Sequence, residues 1–133
     1  MNETHDIDAF LDGTPFAVVG ASTNRAKYGN KVLRCYLQNG REAHPINPHA
    51  KEIEGVACAA SLSDLSERPH AVSIITPPEV TGAVVDEALE LGIEHLWMQP
   101  GAENDEAIER ARAAGVNVIA HGPCLLVVLG YRE

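Results

Sequence analysis

The sequence predicts an α/β protein with a doubly wound, Rossmann-like parallel sheet of about five strands and helices on both faces. Short apolar runs alternate along the chain with amphipathic segments of helical period. Three of those segments end at Gly40, Gly92 and Gly115, and each glycine leads into another apolar run. Because parallel strands are joined by right-handed helical crossovers, this repeat favours a doubly wound sheet.

The predicted elements follow one another with few interruptions. An apolar strand at 15–20 is followed by a helix from about Lys27 to Gly40, in which Val32, Leu33, Tyr36 and Leu37 form one stripe. The middle of the chain reads as a loop with a short extended piece near 56–58 and a helical turn near 62–65. The other strands are predicted at 42–47, 71–76, 94–99 and 116–120, and the other helices at 79–92 and 103–115.

Size and composition indicate one soluble domain, residues 1–133, with residues 1–14 as a leading segment that is helical near Ile7–Leu11. Apolar residues make up 45% and charged residues 22% of the chain, as in ordinary globular proteins. No apolar run approaches the roughly 18 residues of a membrane span, and the acidic N-terminus is unlike a signal peptide. We therefore expect a cytoplasmic protein that does not act at a membrane.

The charge balance limits the classes of partner. The net charge is −9, which disfavours nucleic-acid binding because that needs a broad basic face. Three widely spaced cysteines and scattered histidines match neither a disulfide framework nor a metal site. Any anionic ligand must be met by positive charge placed locally.

Ligands of doubly wound sheets bind beyond the carboxyl ends of the strands, where the strand order reverses. The predicted strands place five segments at that edge: 20–27, 47–51, 76–79, 99–101 and 121–124.

The first of these segments has the features of a phosphate-binding turn. Gly20, Ala21 and Ser22 are small enough to let backbone N–H groups approach a phosphate, and a helix begins just after them. Arg25 and Lys27 add charge, whereas Lys31 and Arg34 are expected on the helix surface. The alternative is an ordinary tight turn with solvated basic residues. The turn is not the G-x-G-x-x-G fingerprint, because Ser22 takes the place of the second glycine.

The end of the second strand narrows the choice of nucleotide. NAD binding normally uses an acidic residue there to hold the ribose hydroxyls. This chain has Asn47 and Pro48 at that point, with Lys51 shortly after. The pattern favours a nucleotide with an extra ribose phosphate, NADP or coenzyme A.

Five short motifs in order, "VVGAS", "INP", "ITPPE", "LWMQPG" and "GPC", resemble the CoA-binding domain family. These are small Rossmann-like proteins, similar to the N-terminal domain of the succinyl-CoA synthetase α subunit. The resemblance covers residues 14–125 and implies coenzyme A or acyl-CoA as the bound cofactor. Stand-alone members often have an arginine where Thr76 stands and "DRC" where this chain has "GPC", so the subgroup is left open.

The resemblance also implies contacts along the length of the ligand. It assigns Gly20, Ala21, Ser22 and Arg25 to the phosphates, Asn47, Pro48 and Lys51 to the adenosine end, Thr76, Pro77 and Pro78 to the adenine or pantetheine, and Gln99, Pro100 and Gly101 to the pantetheine arm.

Catalytic residues are not evident in the sequence. There is no Ser-His-Asp order or carboxylate pair, and His121 is expected to be structural. Cys124 precedes an apolar segment whose helical N-terminus would lower its pKa, and a CoA thiol in the same crevice could form a mixed disulfide with it. The alternative for Cys124 is a buried small apolar residue. Trp97 is expected in the core, and Tyr28 either stacks on an adenine or packs at the helix start.

Three functions of different class remain. The leading one is non-catalytic binding of coenzyme A or acyl-CoA by a domain that is not itself an enzyme and that acts as a sensor, carrier or subunit-like domain with an unidentified protein partner. The second is an NADP-dependent oxidoreductase-like domain. The third is a thiol-redox protein that uses Cys124 together with CoA.

Overall fold

Strands and helices alternate through residues 3–133, the part of the chain that the computed structural model describes. The strands in this part are β1 (Phe16–Val19), β2 (Ala43–Ile46), β3 (Glu52–Ile53), β4 (Val56–Ala57), β5 (Ala71–Ile74), β6 (His95–Met98) and β7 (Asn117–Ile119). The helices are α1 (Glu3–Leu11), α2 (Tyr28–Gln38), α3 (Pro78–Glu90), α4 (Asp105–Ala113) and α5 (Leu125–Leu129), with a 3₁₀ turn at Leu62–Asp64.

The main sheet has five parallel strands in the order β2–β1–β5–β6–β7. Phe16 of β1 pairs with Ala43 of β2 on one side and with Ala71 of β5 on the other. The chain thus proceeds outward in one direction from β1 to β2 and in the other from β5 to β7. The predicted doubly wound sheet is confirmed, and its switch point lies between β1 and β5.

Helices cover both faces of this sheet, as predicted. Alternate residues of β1 point to opposite faces, so Phe16 and Val18 pack with α1, α2 and α5, while Ala17 and Val19 pack with α3 and α4. Trp97 of β6 is fully buried, which confirms it as a core residue. The strands are buried on both sides, which is why their sequences read as continuous apolar runs.

The hairpin of β3 and β4 was predicted only in part, since the short extended piece expected near 56–58 coincides with β4, whereas β3 was not expected. Its strands are two residues long, so no alternation of apolar and polar residues could be recognised. The turn between them has left-handed backbone at Glu54 (φ 51°) and Gly55 (φ 79°). Ile53 is buried and anchors the hairpin against the α2 side of the sheet.

Backbone segments come unusually close at the carboxyl end of β1. A Cβ at Gly20 would lie 1.9 Å from the carbonyl oxygen of Ile75, and Gly20 has φ +96°. A Cβ at Gly29, in the first turn of α2, would lie 2.0 Å from the carbonyl oxygen of Gly20. These two glycines let β1, α2 and the end of β5 meet without intervening side chains.

We expect Gly29→Ala to lower the free energy of unfolding by about 1–3 kcal/mol, because its methyl group would overlap a backbone oxygen that cannot move alone. Gly82→Ala in α3 is the matched control, since the nearest atoms to its Cβ lie 3.7 Å away. That change should raise the free energy of unfolding by roughly 0.5–1 kcal/mol. Urea denaturation measures both, and equal effects of the two substitutions would contradict the close-approach explanation.

A second prediction concerns two histidines at the opposite, amino-terminal edge of the sheet. The rings of His70 and His95 lie 4.6 Å apart, and the amide of Asn117 contacts Nδ1 of His95 at 3.1 Å. Burial, and then the neighbouring His70, lower the pKa of His95. The folded chain therefore takes up this proton less readily than the unfolded chain, whose histidines titrate near pH ~6.5.

Stability should accordingly fall as the pH drops below about 6.5, because the unfolded state binds more protons there. The folded state has its full stability with respect to His95 above that pH, where this histidine is neutral in both the folded and the unfolded chain. Denaturation of the wild type and of His95→Gln between pH 7.5 and pH 5 isolates this effect, and the variant should show the shallower loss. The same pH dependence in both proteins would refute it.

Candidate functional site

Two adjoining cavities lie at the switch point, beyond the carboxyl ends of β1, β2 and β5. The loop cavity, of about 440 Å³, is lined by Gly20, Ala21, Ser22, Lys27, Tyr28, Gly29, Asn47 and Ile75. The apolar cavity, of about 300 Å³, is lined by Val19, Gly20, Ala21, Ile46, Asn47, Pro48, His49, Ala60, Ser61, Thr76, Val80, Val84 and Glu87. Gly20, Ala21 and Asn47 belong to both cavities, which makes them parts of one crevice.

The loop between β1 and α2 is shaped by its own short-range hydrogen bonds. The hydroxyl of Ser22 accepts from the backbone N–H of Asn24, and the Asn24 side chain accepts from the N–H of Ala26, each at 3.0 Å. Lys27 follows in extended conformation as the N-cap of α2, and no side chain caps that helix. An uncapped helix start beside small residues is a favourable environment for an anion.

Asn47 fastens the end of β2 to this loop. Its Nδ2 donates to the carbonyl of Ala21 at 2.9 Å, and its Oδ1 accepts from the N–H of His49 at 2.7 Å. An aspartate could accept the second hydrogen bond but could not donate the first. Asn47 stands where an NAD-binding protein would have an acidic residue, and both the donor and the acceptor of its side-chain amide have hydrogen-bond partners.

Arg25 does not line either cavity. Its Nη1 donates to Oε1 of Glu54 at 2.5 Å, across to the turn of the β3–β4 hairpin. The hydrogen bond from Asn30, together with the charge of Arg25, lowers the pKa of the Glu54 carboxyl. The sequence predicted that Arg25 contacts phosphate, and this stays a prediction, since the structure places Arg25 in an ion pair.

A polar network lies behind the loop. Asn30, fully buried in α2, donates from Nδ2 to the carbonyl of Ser22 at 2.8 Å and to Oε2 of Glu54 at 3.0 Å. Arg34 donates to Oδ1 of Asn30 at 2.7 Å and to the carbonyl of Arg25 at 2.8 Å.

Arg34 is only 9% exposed, so the expectation that it lies on the helix surface was wrong. Sequence analysis missed Asn30 and Glu54 altogether. The spacing of Asn30 and Arg34, four positions apart on a helix, was the available signal for a side-chain pair.

The predicted site residues divide into those that line the crevice and those that do not. The first group is Gly20, Ala21, Ser22, Lys27, Asn47, Pro48 and Thr76. Lys51, Pro77, Pro78, Pro100 and Gly101 are exposed on loops or at helix starts around the same edge of the sheet. Thr76 is fixed by a 2.8 Å hydrogen bond between its hydroxyl and that of Thr81.

Gln99 and Cys124 belong to a cluster with Tyr28, next to the loop cavity. Gln99 is fully buried, and its Oε1 accepts from the Tyr28 hydroxyl at 3.1 Å and from the N–H of Leu125 at 2.8 Å. Burial, and contact with the thiol of Cys124, raise the pKa of Tyr28 well above its usual range. Cys124 is half-buried and is the N-cap of α5. Tyr28 thus packs at the helix start and links this cluster to the crevice.

His121 lies outside the crevice, paired through Nε2 with Asp105 at 2.7 Å on the surface. Among the described residues, no group of three or more histidines, cysteines or carboxylates is arranged to hold a metal ion. Within the same part of the chain, helices long and apolar enough to cross a membrane are absent.

Known proteins share this architecture. A conserved hypothetical protein of Pyrococcus furiosus superposes with a TM-score of 0.81 and 40% identity, over 87% of this chain and 99% of that one. The acetyl-coenzyme A synthetase 1 of Ca. Korarchaeum cryptofilum superposes with a TM-score of 0.68 and 30% identity, over 77% of this chain and 25% of that one.

Sequence comparison agrees with these superpositions. The ADP-forming acetate–CoA ligase I of Archaeoglobus fulgidus is 25% identical over an alignment of 120 positions that covers 82% of this chain and 17% of the ligase. The chain therefore spans about a sixth of the length of that relative. The model of the family described as a CoA binding domain matches residues 14–130. The chain belongs to the CoA-binding domain family.

Proposed function

We propose that this chain binds coenzyme A or acyl-CoA in the crevice between β1, β2 and β5, without catalysing a reaction by itself. The observation that carries the proposal is the contiguity of the two cavities through Gly20, Ala21 and Asn47. One cavity offers backbone donors and a cation, and the other offers apolar walls. A nucleotide with phosphates at one end and a base at the other needs both.

The loop cavity suits the phosphates. The N-terminus of α2 faces it with no side-chain cap, and Gly20 and Gly29 leave the backbone accessible there. Lys27 lines the cavity with its side chain exposed. Helix-terminal N–H groups together with a lysine are a common phosphate-binding arrangement.

The apolar cavity suits the adenine ring. Val80 is 44% exposed and, with Ile46 and Val84, forms walls that a planar base can contact. Among the polar residues that line it, Glu87 is held by hydrogen bonds from the Ser63 hydroxyl at 2.6 Å and the Ser63 N–H at 3.2 Å. Mostly apolar pockets with a few fixed polar groups are typical ligand sites.

The absence of catalysis is part of the proposal. The ligase activity in the name of the Archaeoglobus relative belongs to a protein of which this chain spans 17%. The part of this chain that aligns with this relative lies largely within residues 14–130, which match the family model described as a CoA binding domain. Binding of the cofactor is the property that this common segment best supports.

Thermal unfolding with CoA, acetyl-CoA, NADP, NAD and ATP tests the proposal directly. CoA at about 100 times its Kd should stabilise the folded state by about 2.7 kcal/mol and raise the Tm accordingly. A Tm shift with NADP but none with CoA or acetyl-CoA would refute it and favour the oxidoreductase-like alternative.

Asn47→Asp provides the site-directed test, because the change removes the donor to Ala21 and adds a negative charge beside the proposed phosphates. We expect at least a tenfold loss of CoA affinity in titration calorimetry. Asn39→Asp is the matched control, since Asn39 lies at the far end of α2 and its substitution changes the net charge by the same amount. Similar losses in both variants would mean that overall charge, and not the crevice, governs binding.

A second candidate function is thiol–disulfide exchange between Cys124 and CoA. It is favoured by the position of Cys124: the N–H of the adjacent Leu125 and the hydroxyl of Tyr28, a residue that lines the loop cavity, both donate to Oε1 of Gln99. The Cys124 thiolate would attack one sulfur of CoA disulfide, the S–S bond would break, and one CoA thiolate would leave. Cys124 and the second CoA would remain joined as a mixed disulfide.

Intact-mass measurement after exposure to CoA disulfide tests this exchange. We expect one CoA adduct on the wild type and on Cys58→Ser, and none on Cys124→Ser. An adduct that persists in Cys124→Ser would place the chemistry elsewhere, and no adduct on the wild type would exclude the exchange.

A further inference from the structure

We propose that Glu54 acts as an internal counter-ion that withholds Arg25 from the ligand, so that Lys27 supplies the loop's cation and Glu54 limits the affinity for phosphate. This inference rests on the proposed function and adds to it a carboxylate that sets the strength of binding. Neither Glu54 nor the hairpin that carries it lines the crevice.

The ion pair between Arg25 and Glu54 is supported by hydrogen bonds from two residues of α2. Glu54 accepts from Arg25 at 2.5 Å through Oε1 and from Asn30 at 3.0 Å through Oε2, so both carboxylate oxygens are engaged. Arg34 fixes both Asn30 and the backbone of the loop, because it donates to the side chain of Asn30 and to the carbonyl of Arg25. The hydrogen bond from Asn30 therefore orients the carboxylate of Glu54 independently of the side chain of Arg25.

The backbone also directs Glu54 to this position. Glu54 occupies the left-handed region at φ 51°, which a glutamate rarely adopts without support from its surroundings. The adjacent Ile53 is buried and fixes the hairpin to the domain. The side chain of Glu54 is only 18% exposed, whereas that of Arg25 is 61% exposed. The carboxylate is the fixed partner, and the arginine is the one that solvent or a ligand can reach.

Lys27 contrasts with Arg25 although both lie in the same loop. Lys27 lines the loop cavity. Lys27 is in none of the ion pairs found among residues 7–133, where side chains are described. Lys31, in contrast, is paired with Glu133 at 3.0 Å. Of Arg25, Lys27, Lys31 and Arg34, Lys27 is thus the one that lines the crevice, and it forms no ion pair with a carboxylate of residues 7–133.

Two consequences follow for ligand binding. Loss of Arg25 should weaken binding by about two- to fivefold, because the Glu54 carboxylate would then stand unmatched beside the loop. Loss of the Glu54 carboxylate should strengthen binding, because the arginine would then add uncompensated positive charge beside the loop. Ion pairs with one exposed partner are weak, so the gain should be about two- to fivefold in affinity.

The experiment is a calorimetric titration of CoA into the full chain at several salt concentrations. The variants are Glu54→Gln, Arg25→Gln, Lys27→Gln and the double variant of Arg25 and Glu54. Glu54→Gly is added because glycine suits the left-handed backbone and removes any strain from the substitution. Glu52→Gln is the matched control: Glu52 is an exposed glutamate of the same hairpin, and its replacement changes the net charge equally.

We expect Glu54→Gln and Glu54→Gly to bind CoA about two- to fivefold more tightly with a steeper salt dependence, and Glu52→Gln to bind as the wild type does. The gain should vanish in the double variant. Lys27→Gln should weaken binding and flatten its salt dependence more than Arg25→Gln does, and the loss caused by Arg25→Gln should also vanish in the double variant.

The inference is overturned if Arg25→Gln weakens binding as much as Lys27→Gln does, or if Glu54→Gln and Glu52→Gln behave alike. Weaker binding by both Glu54 variants would likewise overturn it and assign Glu54 a supporting role for the loop. If the wild type does not bind CoA at all, the proposed function fails and this inference fails with it. The wild-type titration therefore separates the two.

Discussion

The close approach of three backbone segments at the end of β1 is the constraint on which the site depends. Gly20 lies against the carbonyl of Ile75, and Gly29 lies against the carbonyl of Gly20. Because no side chain fills this junction, the start of α2 is drawn up to the edge of the sheet and its N–H groups border the crevice. The same two glycines thus determine both the packing of α2 and the access of a ligand to the helix terminus.

Polar side chains fix the loop between β1 and α2 in the position that the two glycines allow. Asn47 joins the end of β2 to the loop, while Asn30 and Arg34 hold the loop from behind through carbonyls at Ser22 and Arg25. These contacts satisfy the buried side chains of Asn30 and Arg34, which would be costly to bury without hydrogen-bond partners. A loop fixed in this way needs little rearrangement to receive an anion, which lowers the entropic cost of binding.

The fold could be predicted from sequence because each strand of the main sheet is largely buried and each predicted helix before a strand ends near a glycine. Apolar runs and their spacing carry that information locally. The crevice was also predictable in outline, since Gly20, Ser22, Lys27 and Asn47 follow strands whose carboxyl ends must meet. The pairing of β3 with β4 and the partners of Arg25 were not, because they depend on residues 29 positions apart and on strands too short to show a period.

The basic residues of the loop show most clearly what local sequence can and cannot predict. A chain of net charge −9 is a poor host for a polyanion unless positive charge is concentrated at the site, and sequence analysis accordingly assigned both Arg25 and Lys27 to the phosphates. The structure shows that nearness in sequence does not decide which charge is available, since Arg25 turns towards Glu54 while Lys27 faces the cavity. The effective charge of such a loop is set by side chains brought in from another element. In this chain a two-stranded hairpin, with no residue in the crevice, has that role.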